Sequence, residues 1–106
     1  MPTILTQIQA IIEQRKSASP DESYTAQLLH KGEDKILKKV IEEAGEVLMA
    51  SKDGDAQHLV YEVADLWFHT MILLAHHQLS ADDVLQELAR RQGLSGLAEK
   101  AARPKE

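Results

Sequence analysis

Glu42, Glu43 and Glu46 form an E-E-x-x-E pattern, and Glu62 and Asp65 form an E-x-x-D pattern a short stretch later. On helices, side chains three or four residues apart share a face. Glu43/Glu46 and Glu62/Asp65 are therefore two carboxylate pairs, each aimed in one direction. Carboxylates grouped in this way suit a hard divalent cation. Such a cation takes oxygen ligands and, when small, keeps several waters that a substrate can replace. Taken alone, the first pattern also fits a solvated charged face. Its like charges cost about 0.2–0.5 kcal/mol per pair, and Lys38 and Lys39 stand four residues before a glutamate to offset them.

The second pattern changes the balance. It lies within LVYEVADLWFHTMILLA, residues 59–75. At 100° per residue Glu62, Asp65, His69 and His76 share one narrow stripe, while Leu59, Val60, Val63, Ala64, Leu66, Trp67, Phe68, Met71, Leu73 and Leu74 take nearly all the rest. A helix apolar almost all round is buried on most sides, and a buried unpaired carboxylate costs several kcal/mol. The helix carries no Lys or Arg to balance these charges. A cation held between the two acidic stripes by Glu43, Glu46, Glu62 and Asp65 is the economical remedy. Mg²⁺ or Mn²⁺ is expected, because no Cys or His set has zinc spacing. A ferritin-like di-iron site needs Glu-x-x-His, which is absent from the chain. His69, one turn after Asp65, either contacts substrate, holds a carboxylate or is a hydrogen-bonded core residue. His76 and His77 are expected at helix-terminal carbonyls. Trp67, Phe68 and Met71 read as packing.

The elements that must position these groups all have helical period, with no strand alternation. A first helix carries Ile4, Leu5, Ile8, Ile11 and Ile12. Ser19-Pro20-Asp21-Glu22 reads as the start of a short second helix that stops near Gly32. Asp34 is expected to cap a third, with a core stripe of Ile36, Leu37, Val40, Ile41, Ala44, Val47 and Leu48. Gly54 then stops it, and Asp55 caps a fourth running to about His77. Ser80 and Asp83 suggest a capping box for a fifth helix with Val84, Leu85 and Leu88, ending near Gly93. A short turn, SGLAEKAA, follows before Pro104. The third and fourth helices should run antiparallel across SKDGD. The expected fold is a single all-α domain over residues 1–106, a small bundle of about five helices.

Composition narrows the function. The chain has 106 residues, 43% of them hydrophobic, which suits one modest core. Its formal charge is -5, which disfavours a nucleic-acid backbone as partner but not a nucleotide carried with a cation. There is no cysteine, so no thiolate nucleophile, and a cytoplasmic location is compatible. MPTILTQIQAIIEQRK lacks the basic start and apolar run of a signal peptide. Glu62, Asp65 and His69 interrupt the longest apolar stretch, so no membrane span is expected.

KGEDKILKKVIEEAGEVLMAS followed by LVYEVADLWFHTMILL resembles the phosphoribosyl-ATP pyrophosphatase family of histidine biosynthesis, within the all-α MazG-like nucleotide pyrophosphohydrolases. The acidic motifs alone indicate the superfamily. SYTAQLLHKG and SGLAEKAARP point to the narrower family. The resemblance implies Mg²⁺-dependent hydrolysis of phosphoribosyl-ATP to phosphoribosyl-AMP and pyrophosphate, in a homodimer whose helices complete the bundle. It implies Glu43, Glu46, Glu62 and Asp65 as metal ligands. Glu42 becomes a further acid, which polarises water or joins a second metal site. Lys39 and Lys35 would meet substrate phosphates, and Lys100 and Arg103 in the C-terminal segment are candidates to reach the substrate. Two positions depart from the family pattern: Ile41 where glycine is frequent, and Phe68 where tyrosine is. Neither is acidic. A MazG-like pyrophosphatase that removes damaged nucleoside triphosphates would share the four acids. A non-catalytic helical dimer with a chance acidic face is the other reading.

Overall fold

The computed structural model describes residues 3–92. These form five helices: α1 (Ile4–Arg15), α2 (Tyr24–Lys31), α3 (Glu33–Asp53), α4 (Ala56–His76) and α5 (Ala81–Arg91). No strand occurs among the described residues. The expected all-α bundle is what the chain builds, and no helix in it is long and apolar enough to cross a membrane. SGLAEKAA, Gly93, Lys100 and Arg103 lie outside the described residues.

Local sequence accounts for most of the helix ends. The Asp55 carboxylate accepts from the backbone N–H groups of Gln57 and His58, and so satisfies two donors that the first turn of α4 leaves open. Ser80 and Asp83 form the predicted capping box of α5. Gly54 ends α3 in the left-handed region at φ 75, where a side chain would be strained. Two starts differ from expectation. Ser19–Glu22 is a turn, closed by Glu22 N–H donating to the Ser19 carbonyl, with the Ser19 hydroxyl accepting from Asp21 N–H. These local bonds compete with helix, so α2 begins only after Ser23, which caps it by accepting from Ala26 N–H. Asp34 does not cap α3. Gly32 holds that position at φ 95 and lets the chain turn sharply from α2 into α3, leaving Asp34 in the first turn, where an acid suits the helix dipole.

Ile12, Leu28, Ile36, Met71, Ile72, Ala75 and Ala81 form the core, drawn from all five helices. A fully buried isoleucine contributes roughly 1.5–3 kcal/mol. Gln9 ties three helices together: its side-chain amide donates to the Met71 carbonyl at 3.1 Å, and its amide oxygen accepts from Ala81 N–H at 2.9 Å.

The predicted core stripe of α3 is only partly inside. Ile36 is buried, but Leu37, Ala44, Ile41 (73% exposed) and Leu48 (61% exposed) face outward. On α4, Val60 (69% exposed), Ala64 and Trp67 (56% exposed) do the same. Ile4 and Ile11 of α1 are exposed too. The reason is geometric. Among the described residues, three further helices are too few to cover α3 and α4, which are apolar on several sides. His77 also departs from expectation, because its Nε2, at the end of α4, pairs with Glu33 at the start of α3 at 2.8 Å.

Candidate metal centre

α3 and α4 form the most extensive helix pair, antiparallel about the Gly54 turn. Glu43 and Asp65 are equally far along the chain from Gly54 on its two sides, and so are Glu46 and Glu62. The fold thereby sets Glu43 level with Asp65, and Glu46 level with Glu62 one turn nearer the Gly54 end. Among the described residues, Glu43, Asp65 and His69 have ligand-type atoms all within 4.8 Å of one another. Glu62 is buried, at 6% exposure, although it lies outside this cluster. Glu46 is exposed, as is Glu42. Of the four carboxylates expected in one gap, two therefore meet directly, and two stand a turn away on the same helices.

The electrostatics of the centre are those of crowded acid. Glu43 is 7% exposed, and its carboxyl is held above the usual carboxylate range, first by burial and then by the Asp65 carboxylate beside it. Among the described residues the cation paired with it is Lys39, whose Nζ lies 3.2 Å from Glu42 and 3.5 Å from Glu43. Its hydrogen bond to Glu42 raises the lysine above its ordinary value. Lys35 stands half-buried one turn earlier on α3.

His69 is 3% exposed, and both its ring nitrogens are engaged. Nδ1 lies 2.8 Å from the Asp65 backbone carbonyl. A carbonyl only accepts, so Nδ1 carries a proton, and Nε2 is taken up by the Tyr24 hydroxyl at 2.8 Å. No lone pair is left for a metal. Of the three roles expected for His69, this geometry is that of the hydrogen-bonded core residue, and its Nδ1 bond ties the ring to the turn that carries Asp65. The donors for a cation are then carboxylate oxygens, one of which burial and a like charge drive towards its protonated form. That set fits a hard divalent ion, whose charge would replace the proton.

Tyr24 is the group that sequence reasoning missed. It belongs to a helix with no acidic pattern, and its hydroxyl meets His69 only because the Gly32 turn folds α2 back against α4. Its phenol is pushed up by burial, then down by Lys39 and up by Glu43 and Asp65, which places the hydroxyl within electrostatic reach of the acids. An apolar groove of about 300 Å³ between α1, α4 and α5, lined by residues such as Leu5, Trp67 and Leu88, offers nothing for a polyphosphate.

The sequence profile of the family described as phosphoribosyl-ATP pyrophosphohydrolase matches residues 5–92. The phosphoribosyl-ATP pyrophosphatase of Neisseria meningitidis serogroup C is 81% identical over 101 residues, covering 95% of this chain and 94% of that protein. The phosphoribosyl-ATP pyrophosphatase of Chromobacterium violaceum is 62% identical over 102 residues, with 96% and 94% covered. Its namesake in Nitrosospira multiformis is 61% identical over 102 residues, with 96% and 84% covered.

Proposed function

This chain belongs to the phosphoribosyl-ATP pyrophosphohydrolase family, and from that premise we propose that it hydrolyses phosphoribosyl-ATP to phosphoribosyl-AMP and pyrophosphate at the α3–α4 carboxylate centre, with Mg²⁺ as cofactor. The observation that carries the site is buried Glu43 set against half-buried Asp65, a crowding of acid that asks for a cation. Glu43 and Asp65, with Glu46 and Glu62 on the adjacent turns, are the residues that would hold it. A bound divalent ion supplies charge neutralisation for phosphate oxygens and lowers the pKa of water. Mn²⁺, with the same preference for oxygen, would fit the same donors.

The remaining roles belong to side chains. Lys39, poised between Glu42 and Glu43, can turn from them to a substrate phosphate, and Lys35 extends the same basic edge. Glu42, exposed beside the buried acids, is placed to take a proton from an attacking water. The water oxygen bonds to the α-phosphorus, the α–β bridging bond breaks, and its electron pair leaves with pyrophosphate. The apolar body of α4 keeps the acids rigid and partly dry, which strengthens their electrostatics. Lys100 and Arg103 are proposed to reach the substrate from the C-terminal segment. The substrate is a small cytoplasmic metabolite, and the enzyme acts in the cytoplasm as a homodimer.

Purified protein should release pyrophosphate from phosphoribosyl-ATP when Mg²⁺ is present and stop when it is chelated. Turnover of a nucleoside triphosphate panel, with none of phosphoribosyl-ATP, would identify a house-cleaning pyrophosphatase instead.

A further inference from the structure

We propose that Tyr24 is a positioning residue of this centre: its hydroxyl, bonded to Nε2, fixes the orientation of the His69 imidazole, and the ring's Nδ1–H holds the Asp65 turn of α4 in place against Glu43. The inference rests on the carboxylate centre proposed above, and it assigns work to a residue outside the acidic motifs.

Three observations carry it. The Tyr24 hydroxyl is 2.8 Å from Nε2, and Nδ1 is 2.8 Å from the Asp65 carbonyl, so one buried ring spans two helices with both nitrogens used. The ring is also fixed by edge-on packing, with the Tyr24 and Phe68 ring centroids each 5.7 Å away. Nδ1 lies 3.6 Å from the Asp65 carboxylate as well, so any rotation of the imidazole moves a donor at the centre itself. Without the phenol, Nε2 is a buried acceptor with no donor. The ring then gains by turning towards another partner, and turning releases the Asp65 carbonyl.

Tyr24→Phe keeps the edge-on packing and removes only the hydroxyl. The first test uses substrate-free protein and two readouts. Nitrogen-15 spectra of the His69 ring should show an Nδ1–H protected from exchange in the parent and a loss of that protection in the variant. Mn²⁺ titrated by calorimetry should bind the variant about tenfold more weakly, the lower end of what partners of metal ligands cost. With substrate, kcat should fall by a similar factor of about ten while KM changes less than about threefold. In a His69→Gln background, Tyr24→Phe should add almost nothing, because it acts through the ring.

An Nδ1–H as well protected as in the parent, with Mn²⁺ affinity and kcat within about twofold, would overturn the proposal. So would a rise in KM alone, since that places the hydroxyl on the substrate. A lower melting temperature with unaltered spectra and metal binding would reduce the contact to a staple between helices and overturn it too. If the parent hydrolyses no phosphoribosyl-ATP, the substrate assignment fails separately. The spectra and the Mn²⁺ titration still decide the role of Tyr24.

Discussion

Glu43 shows most directly what the fold does to a residue. Its neighbours on α3 are charged and solvated, yet it is buried against a second acid. A carboxyl raised in the folded state binds protons more tightly there than in the unfolded chain. Its contribution to stability is complete below the ordinary carboxylate pKa and is lost as pH rises through the raised folded value. Metal-free protein should therefore melt at a falling temperature as pH climbs out of the acidic carboxylate range. Saturating Mg²⁺ or Glu43→Gln should flatten that slope, as scanning calorimetry across pH can check. Asp65→Asn keeps the shape and removes a ligand charge. Its pyrophosphate release should drop by about 100-fold or more, with far-ultraviolet circular dichroism unchanged. A fully active Asp65→Asn enzyme would remove Asp65 from the ligand set. His69 was recognisable on the acidic stripe from spacing alone. Its partner Tyr24 was not, since that contact depends on where α2 lands.

At the scale of elements, caps decide where helices start, and caps are short-range chemistry. Asp55 and the Ser80–Asp83 box were readable because each satisfies N–H groups within three residues of itself. Ser19 had a capping residue type and a proline beside it, but it spends its hydroxyl on a turn, and Ser23 takes the cap. Sequence pattern does not separate two serines that compete for neighbouring backbone. The Asp55 cap also bears on the site, since the Gly54–Asp55 connection sets the register that brings Glu43 level with Asp65. Asp55→Ala should cost about 1 kcal/mol. In a domain of this size that lowers the melting temperature by about 4–8 °C. Added Mg²⁺ should recover part of the loss, because binding to the folded state stabilises it. Thermal melts with and without the ion measure both effects.

For the whole molecule, the apolar stripes left outside are the largest departure from expectation. Leu37, Ile41, Ala44 and Leu48 have the spacing of a core face, and they are exposed because nothing among the described residues lies over them. Exposed patches of that kind mark interfaces, and two-fold pairing of identical surfaces is the commonest way to cover one. The proposed homodimer supplies that cover. Ile41→Glu places a charge in the middle of the α3 stripe without touching the core. Sedimentation should find the parent as a dimer and the variant shifted to monomer, with a lower melting temperature. A parent that sediments as a monomer at micromolar concentration would show the stripe to be covered otherwise.

Helical period, the acidic stripes and most of the caps were determined by the sequence alone, because each depends on residues at most four positions apart. The match of the acidic motifs and their flanks to one family was equally a property of the chain as written. The tertiary structure decided which carboxylates meet. Glu43 and Asp65 come together because two helices of equal length reverse at Gly54, whereas Glu46 stays at the surface. It also decided that His69 is spent on hydrogen bonds and that Tyr24 stands behind it. Those pairings join residues 45 positions apart or bind a ring between two helices, and no local pattern encodes such a distance.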